Sequence, residues 1–189
     1  MSTSGPSYRG EARNSVAAGR GAGQSRRMLE LRTLTPDDWP LWRELRLAAL
    51  AEAPEAFGAT LAEWSGPGDQ EERWRARLSI PGARDHVVLL DGTPAGMVSG
   101  VPGEDAGVVE LISMWVTPAA RGRGVGDLLV AAVEQWARDE GATTLRLAVM
   151  RDNPVATTLY ERHGFAPPPG GDDRLGDGRE LLLAKRLDG

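Results

Sequence analysis

A segment rich in glycine and arginine carries the clearest chemical signal in this sequence. It reads Arg121-Gly-Arg-Gly-Val-Gly126 and lies between a predicted strand and a predicted helix. Glycine lets the backbone approach an anion closely, and the N–H groups at a helix N-terminus attract negative charge. Arginine adds charge-assisted hydrogen bonds, so the segment is a candidate pyrophosphate site. The candidate contacts are Arg121, Gly122, Arg123, Gly124, Val125 and Gly126.

Glycine-rich stretches also form tight turns, so the segment needs support from its context. Two other phosphate-binding patterns are excluded. A P-loop requires Gly-Lys followed by Ser or Thr, which the sequence lacks. A dinucleotide-binding fold requires an acidic residue placed for the ribose, and the strand before this segment is late in the chain with no such residue after it.

Composition excludes several other kinds of chemistry. The 189 residues include no Cys and only two His, His86 and His163. A cysteine acyl-enzyme, a thiolate zinc site and an iron–sulfur cluster are therefore excluded, and we expect no metal centre. No apolar run approaches the roughly 20 residues of a membrane span. We expect a soluble, cytoplasmic protein.

Charge is unevenly distributed along the chain. Residues 1–27 carry five Arg and one Glu, whereas the remainder carries 17 basic and 26 acidic residues. We interpret residues 1–27 as a disordered tail, because Gly, Ser, Ala and Arg dominate them, and residues 28–189 as a single domain. The acidic domain disfavours nucleic acid and anionic membranes, and it favours cationic small molecules or basic peptides as partners.

Hydrophobic periodicity predicts the elements that position the glycine-rich segment. A strand over 108–116 precedes it, and a helix that begins near Val125 and ends at Gly141 follows it. The predicted order of elements is βααβββαβαββ. It indicates an α/β (α+β) fold with a mixed, mostly antiparallel sheet of about seven strands, about four flanking helices and one parallel crossover.

Four segments in this order resemble the GNAT superfamily of acyl-CoA-dependent N-acetyltransferases. They are Glu110-Leu-Ile-Ser-Met-Trp-Val-Thr-Pro118, the glycine-rich segment, Asn153-Pro154 and Leu159-Tyr-Glu-Arg-His-Gly-Phe165. The resemblance is strong over residues 108–165 and weak in the first third of the chain. It implies a sheet splayed between its fourth and fifth strands, with acetyl-CoA in the gap.

The resemblance also implies which residues contact acetyl-CoA. The backbone of Met114, Trp115 and Val116 would pair with the pantetheine arm, and the glycine-rich segment would hold the pyrophosphate. Asn153 would contact the pantetheine or nearby backbone, although an Asn in this position is equally suited to cap a helix.

Acetyl transfer requires a neutral amine, whereas an amine with a pKa of ~10.4 is almost fully protonated at neutral pH. Some family members place a Glu base on the later strand, where this sequence has Ala148. Others place it six residues before the end of the pantetheine-binding strand, where this sequence has Glu110. We nominate Glu110 as base, directly or through a water chain, and Tyr160 as the acid that protonates the thiolate. The alternative interpretation of Glu110 is a solvated carboxylate on a strand, and that of Tyr160 is an aromatic residue of the core.

The resemblance places the acceptor site on the first two helices and a loop over 167–178, with Phe57, Trp64 and Trp74 as candidate contacts. The two Trp residues are equally suited to packing between helices. The expected reaction is direct attack of a small cationic amine on acetyl-CoA in a ternary complex, since no Cys can carry the acetyl group. A protein N-terminus or lysine is the alternative acceptor. A non-catalytic acyl-CoA-binding domain and a homodimer also remain open.

Overall fold

The computed structural model describes residues 27–169, 174–175 and 178–187. The predicted tail, except for Arg27, and part of the loop over 167–178 lie outside the described residues. The regular elements are β1 (Leu29–Thr33), α1 (Trp39–Glu52), α2 (Leu61–Trp64), α3 (Glu71–Arg77), β2 (Arg84–Leu90), β3 (Thr93–Pro102), β4 (Val108–Val116), α4 (Val125–Asp139), β5 (Thr144–Met150), α5 (Pro154–Arg162), β6 (Arg174–Leu175) and β7 (Glu180–Arg186).

The strands form one sheet in the order β1-β2-β3-β4-β5-β7-β6. Every neighbouring pair is antiparallel except β4 and β5, which run parallel. Six of the strands have five or more residues, and β6 has only two. The predicted mixed, mostly antiparallel sheet with flanking helices is therefore confirmed.

The prediction omits one short helix, α2. The Thr60 hydroxyl accepts a hydrogen bond from the Glu63 N–H at 3.3 Å, and the Glu63 carboxylate accepts one from the Thr60 N–H at 2.7 Å. This capping box is visible in the sequence. The glycines on either side of it indicated a break in the chain instead, which is why the helix was not expected.

The sheet opens between β4 and β5. These strands share only three residue pairs, from Val108 with Thr144 to Glu110 with Arg146. Beyond them β5 stays paired with β7 along its whole length, whereas β4 is paired with β3 alone. The β5-facing edge of β4 over 111–116 therefore has no neighbouring strand, and the predicted splay is confirmed.

Two hydrophobic cores cover opposite faces of the sheet. The larger core packs α4 and α5 against one face and includes Leu129 and Leu145, which are fully buried. The smaller core packs α1 and α3 against the other face through Trp42 and Trp74, also fully buried. The two cores hold the separated strands in place from both sides.

β4 contains one residue more than the facing part of β3. Met97 of β3 pairs with Trp115, but Ser99, two residues later, pairs with Ile112, three residues earlier. Ser113 in this bulge has a φ of +55°, which residues other than glycine rarely adopt. Because a bulge bends its strand, this one contributes to the divergence of β4 from β5.

Candidate active site

A cleft of about 750 Å³ lies where β4 and β5 separate. Its walls come from the end of α1 and the turn after it, the second half of β4, the glycine-rich loop with the start of α4, and the end of β5 with α5. Segments far apart in sequence thus share one cavity. The predicted site residues that line it are Phe57, Met114, Trp115, Val116, Arg121, Gly122, Gly124, Gly126, Asn153 and Tyr160.

The glycine-rich loop presents backbone N–H groups that lack helical acceptors. Gly122 and Gly124 have φ values of +69° and +83°, which glycine adopts without steric cost. The Leu128 N–H donates to the Gly124 carbonyl at 3.1 Å, so the amides before it precede the first intrahelical hydrogen bond. A Cβ on Gly122 would meet no atom within 4 Å. The loop therefore offers open space beside a helix N-terminus, as a bound pyrophosphate requires.

Two residues of the predicted pyrophosphate site do not line the cleft. The Val125 side chain is buried in the larger core, so only its backbone can serve a ligand. Arg123 is exposed and lies outside the cleft wall. Gly126 lines the cleft and also serves packing, because a Cβ there would lie 3.0 Å from Leu159 Cδ2.

Glu52, at the end of α1, joins two residues of the cleft wall. Its carboxylate accepts hydrogen bonds from Trp115 Nε1 at 2.6 Å and from Arg121 Nη2 at 2.7 Å. The bond from Arg121 lowers the pKa of Glu52, and the bond from Trp115 adds to the effect. The sequence did not point to Glu52, because its partners are 63 and 69 residues away along the chain.

Tyr160 lies on α5 and lines the cleft, although its side chain is largely buried. Its ring packs edge-on against Phe165, with centroids 5.8 Å apart. Burial raises the pKa of the phenol well above its ordinary value, because the phenolate would lose its hydration. At neutral pH the hydroxyl therefore keeps the proton that an acid catalyst needs.

The position of Asn153 is compatible with both roles predicted for it. Its side-chain oxygen accepts a hydrogen bond from the Ala156 N–H at 3.1 Å and caps α5. It also lines the cleft. The amide nitrogen, which does not take part in the cap, is the group that a ligand can use.

Glu110 is bound to a neighbouring strand and is not part of the cleft wall. Its carboxylate accepts a hydrogen bond from Arg146 Nη2 at 2.6 Å, at the last pair of the short β4–β5 ladder. Arg146 also faces Asp105 at 3.5 Å. Among the described acidic residues, the cleft is lined instead by Glu52, Asp127 and Glu180.

Trp64 and Trp74 do not reach the cleft. Their rings pack against each other with centroids 4.6 Å apart, and both contribute to the smaller core. Trp74 Nε1 donates to Asp69 at 2.8 Å, so its polar atom is satisfied within the protein. The structure therefore places both side chains in packing between helices.

Asp127, directly after the glycine-rich segment, is neutralised by its neighbours. Arg162 Nη2 donates to the carboxylate at 2.6 Å, and His163 Nε2 lies 3.0 Å from the same oxygen. Burial alone would raise the pKa of Asp127, but these contacts lower it overall. The negative charge beside the candidate pyrophosphate site is therefore compensated.

The described part of the chain contains neither a cluster of metal-ligating side chains nor a membrane-spanning helix. No group of three or more His, Asp or Glu residues there is arranged to hold a metal ion. Likewise, none of the helices over residues 27–187 that the structure describes is long and apolar enough to cross a membrane.

Several known proteins that resemble this chain in sequence or in structure are acetyltransferases. Residues 39–165 match the family described as Acetyltransferase (GNAT) family. Mycothiol acetyltransferase of Renibacterium salmoninarum is 29% identical over 139 residues, which is 73% of this chain but 40% of that protein. The chain thus spans less than half of this relative.

Solved structures share the fold over most of this chain. A GCN5-related N-acetyltransferase from Kribbella flavida superposes with a TM-score of 0.63 at 28% identity, over 84% of this chain and 98% of the other. The PaiA N-acetyltransferase of Thermoplasma acidophilum, solved with coenzyme A, gives a TM-score of 0.65 at 20% identity with the same coverage. At that lower identity the likeness concerns the fold alone.

Proposed function

The chain belongs to the GNAT family of acetyltransferases, and on this premise we propose that it transfers an acetyl group from acetyl-CoA to a primary amine. The observation that carries the proposal is the cleft itself, in which the unpaired edge of β4, the glycine-rich loop and Tyr160 meet. The acceptor is a small amine that is cationic in solution, in keeping with the acidic domain.

The residues of the cleft fit acetyl-CoA, which supplies the acetyl thioester when bound. The edge of β4 over 114–116 has backbone groups without a neighbouring strand, and such groups suit the amides of a pantetheine arm. The amides of the glycine-rich loop suit the pyrophosphate, and Arg121 adds positive charge. Asn153 offers a side-chain amide on the opposite wall.

Glu52 sets the position of Arg121 in this proposal. The ion pair keeps the guanidinium at the cleft but also offers it a competing anion. A pyrophosphate arriving beside the loop draws on the same guanidinium hydrogen bonds. Glu52 is therefore a positioning residue, and its charge opposes that of the phosphates.

Deprotonation of the amine is assigned to a carboxylate. Glu110 remains the predicted base; because it does not line the cleft, a water chain would have to connect it to the amine, and its ion pair with Arg146 opposes the role. Glu180 lines the cleft directly and is the second candidate. Glu52 is less suited, because its lowered pKa makes it a weaker base.

Protonation of the departing CoA thiolate is assigned to Tyr160. Its raised pKa keeps the hydroxyl protonated at neutral pH, and its place in the cleft wall on α5 allows donation to the departing thiolate. Because the chain has no Cys, the amine attacks the thioester directly in a ternary complex.

One observation favours a second candidate function. Ala148 lines the cleft where some family members have a Glu base. A domain that binds acyl-CoA without catalysis is consistent with this substitution. A protein N-terminus or lysine remains the alternative to a small acceptor.

Release of free CoA thiol from acetyl-CoA tests the proposal. The protein is incubated with a panel of small amines and short peptides, and the thiol is measured with a colorimetric reagent, to which a protein without Cys contributes no background. We expect release that depends on both protein and amine. Binding of acetyl-CoA without release for any acceptor would overturn the catalytic proposal in favour of the binding domain.

A further inference from the structure

Arg46 lies on α1 next to the cleft, although it is not one of the residues that line it. Its guanidinium carbon is 4.6 Å from the centre of the Phe57 ring, and its Nη1 is 3.4 Å from Ser113 Oγ. Both contacted residues line the cleft. The side chain thus extends from the helix to Ser113 in the bulge of β4.

No carboxylate among the described residues pairs with Arg46. The positive charges of two neighbouring arginines on the same side of the sheet are balanced by carboxylates. Arg43 pairs with Asp69, and Arg77 pairs with Asp85. Arg46 instead experiences the positive charge of Arg77. It therefore combines partial burial with an uncompensated charge.

Partial burial of a cation without a counterion costs free energy, which pairing with an anion offsets. Burial, with a further contribution from Arg77, lowers the pKa of Arg46 to about 10, so the guanidinium is still charged at neutral pH. A polar contact with a single hydroxyl does not satisfy the five N–H donors of a guanidinium. The arrangement is therefore suited to receive a negatively charged group from the cleft.

We propose that Arg46 binds a carboxylate of the acceptor, so that the enzyme selects small amines that also carry a carboxylate, as amino acids do. This inference rests on the proposed function and names its acceptor class. A planar guanidinium fork matches a carboxylate in two parallel hydrogen bonds. The guanidinium carbon lies 4.6 Å from the centre of the Phe57 ring, and apart from the contact of Nη1 with Ser113 Oγ the guanidinium has no hydrogen-bond partner among the described residues.

The negative charge of the domain and the positive charge of Arg46 then attract opposite groups of one acceptor molecule. The acidic domain attracts the ammonium group of the acceptor, and Glu180 adds a local negative charge in the cleft. Arg46 attracts the carboxylate. A zwitterionic acceptor satisfies both, whereas a polyamine leaves Arg46 uncompensated.

Pairs of amines that differ only by a carboxylate test the inference. Each amino acid is compared with its decarboxylated amine, for example lysine with cadaverine and phenylalanine with phenethylamine. The variants are Arg46→Gln, which removes the charge, and Arg46→Lys, which keeps it without the fork. Arg84→Gln is the matched control, since it removes one exposed Arg on β2 outside the cleft.

We expect the wild type to favour the amino acid of each pair. Arg46→Gln should lower kcat/KM for the amino acid by about 10- to 100-fold and leave that for the decarboxylated amine within about twofold. Arg46→Lys should fall between, and Arg84→Gln should change neither. Because each ratio compares variants on one substrate, differences in amine basicity cancel. An equal loss for both members of the pairs would overturn the inference.

A binding measurement separates this inference from the proposed function. The same amines are titrated calorimetrically into the protein saturated with CoA. Tighter binding of the amino acid to the wild type than to Arg46→Gln supports the role of Arg46 even if no thiol is released. Equal binding overturns it even if the enzyme is active. Thermal melting of each variant shows whether it is folded, and Arg46→Lys serves if Arg46→Gln is not.

Discussion

The Glu52 carboxylate accepts a hydrogen bond from Trp115 Nε1 at 2.6 Å, which joins the end of α1 to β4 at the wall of the cleft. The same carboxylate holds Arg121 of the glycine-rich loop. One side chain thus connects the strand edge proposed to bind the pantetheine arm with the loop proposed to bind the pyrophosphate.

Replacing Glu52 should therefore alter acetyl-CoA binding through charge. Glu52→Gln removes a negative charge next to the proposed phosphate site while its amide oxygen still accepts from Trp115. We expect the Kd for acetyl-CoA to fall by about two- to fivefold at low salt, measured by calorimetry. Arg121→Gln should weaken binding, and in that background Glu52→Gln should lose its effect. An effect of Glu52→Gln that persists without Arg121 would contradict this account.

Tyr160→Phe should separate catalysis from binding. The ring and its packing on Phe165 are kept, and only the hydroxyl is lost. We expect kcat to fall by about 100-fold or more, with the Kd for acetyl-CoA unchanged within about twofold. Steady-state kinetics and calorimetry give the two values. Equal turnover of variant and wild type would remove Tyr160 from the mechanism.

The glycine-rich loop offers a test with a matched control. Gly122 and Gly92 both have positive φ, +69° and +80°, and a Cβ on either would meet no atom within 4 Å. Gly122→Ala and Gly92→Ala should each cost about 1 kcal/mol of stability, because an L residue is strained there.

Only the change in the loop should affect the ligand. A Cβ at Gly122 enters the space beside the loop amides, so we expect roughly tenfold weaker acetyl-CoA binding, about 1.4 kcal/mol. Gly92→Ala lies in the β2–β3 turn and should bind normally. Equal affinities of the two variants would indicate that the loop does not hold the pyrophosphate.

The identity of the base can be resolved by comparing Glu110→Gln with Glu180→Gln. Loss of the base should lower kcat/KM by about 100-fold and abolish its rise with pH. Asp105→Asn is the control for Glu110, since Asp105 also faces Arg146 without being a candidate. If neither Gln variant changes the pH profile, neither carboxylate is the base.

His86 should make stability depend on pH. It is buried, its Nδ1 lies 3.1 Å from Thr33 Oγ1, and its Nε2 has no partner. Burial, with a contribution from Arg84, lowers its pKa to about 4. Because the unfolded chain has the higher His pKa, it takes up the proton first as the pH falls below about 6.5.

The contribution of His86 to the free energy of unfolding should therefore be constant above that pH and decrease toward about pH 4. The His86 contribution to this loss reaches about 2 kcal/mol at about pH 5. Urea unfolding of the wild type and of His86→Gln, at a series of pH values, measures the difference. The variant should lose this part of the slope. Parallel slopes would show that His86 is protonated alike in both states.

Local patterns explain most of what the sequence predicted. The glycine-rich loop, the helix after it and the flanking strands depend on residues close together in the chain, so periodicity and turn chemistry identify them. The cap formed by Asn153 is equally local. The splay came from the resemblance, and the three-pair ladder between β4 and β5 confirms it.

Contacts between distant segments could not be predicted in the same way. Arg46 is 67 residues from Ser113, and Glu52 is 69 residues from Arg121. Nothing in their local sequence distinguishes them from other charged residues on a helix. Glu110 shows the converse, since the resemblance nominated it as the base but the parallel ladder brings Arg146 beside it.

The bulge at Ser113 reverses which face of the sheet the odd- and even-numbered residues of β4 occupy. Before it, the odd-numbered Val109 and Leu111 face α4; after it, the even-numbered Met114 and Val116 pack on that side. In an uninterrupted strand Trp115 would turn toward α4 and away from Glu52. Deleting Ser113 would remove the extra residue and keep Met114, Trp115 and Val116 on their present sides, whereas a bulge-free strand of unchanged length would turn all three to the opposite face of the sheet.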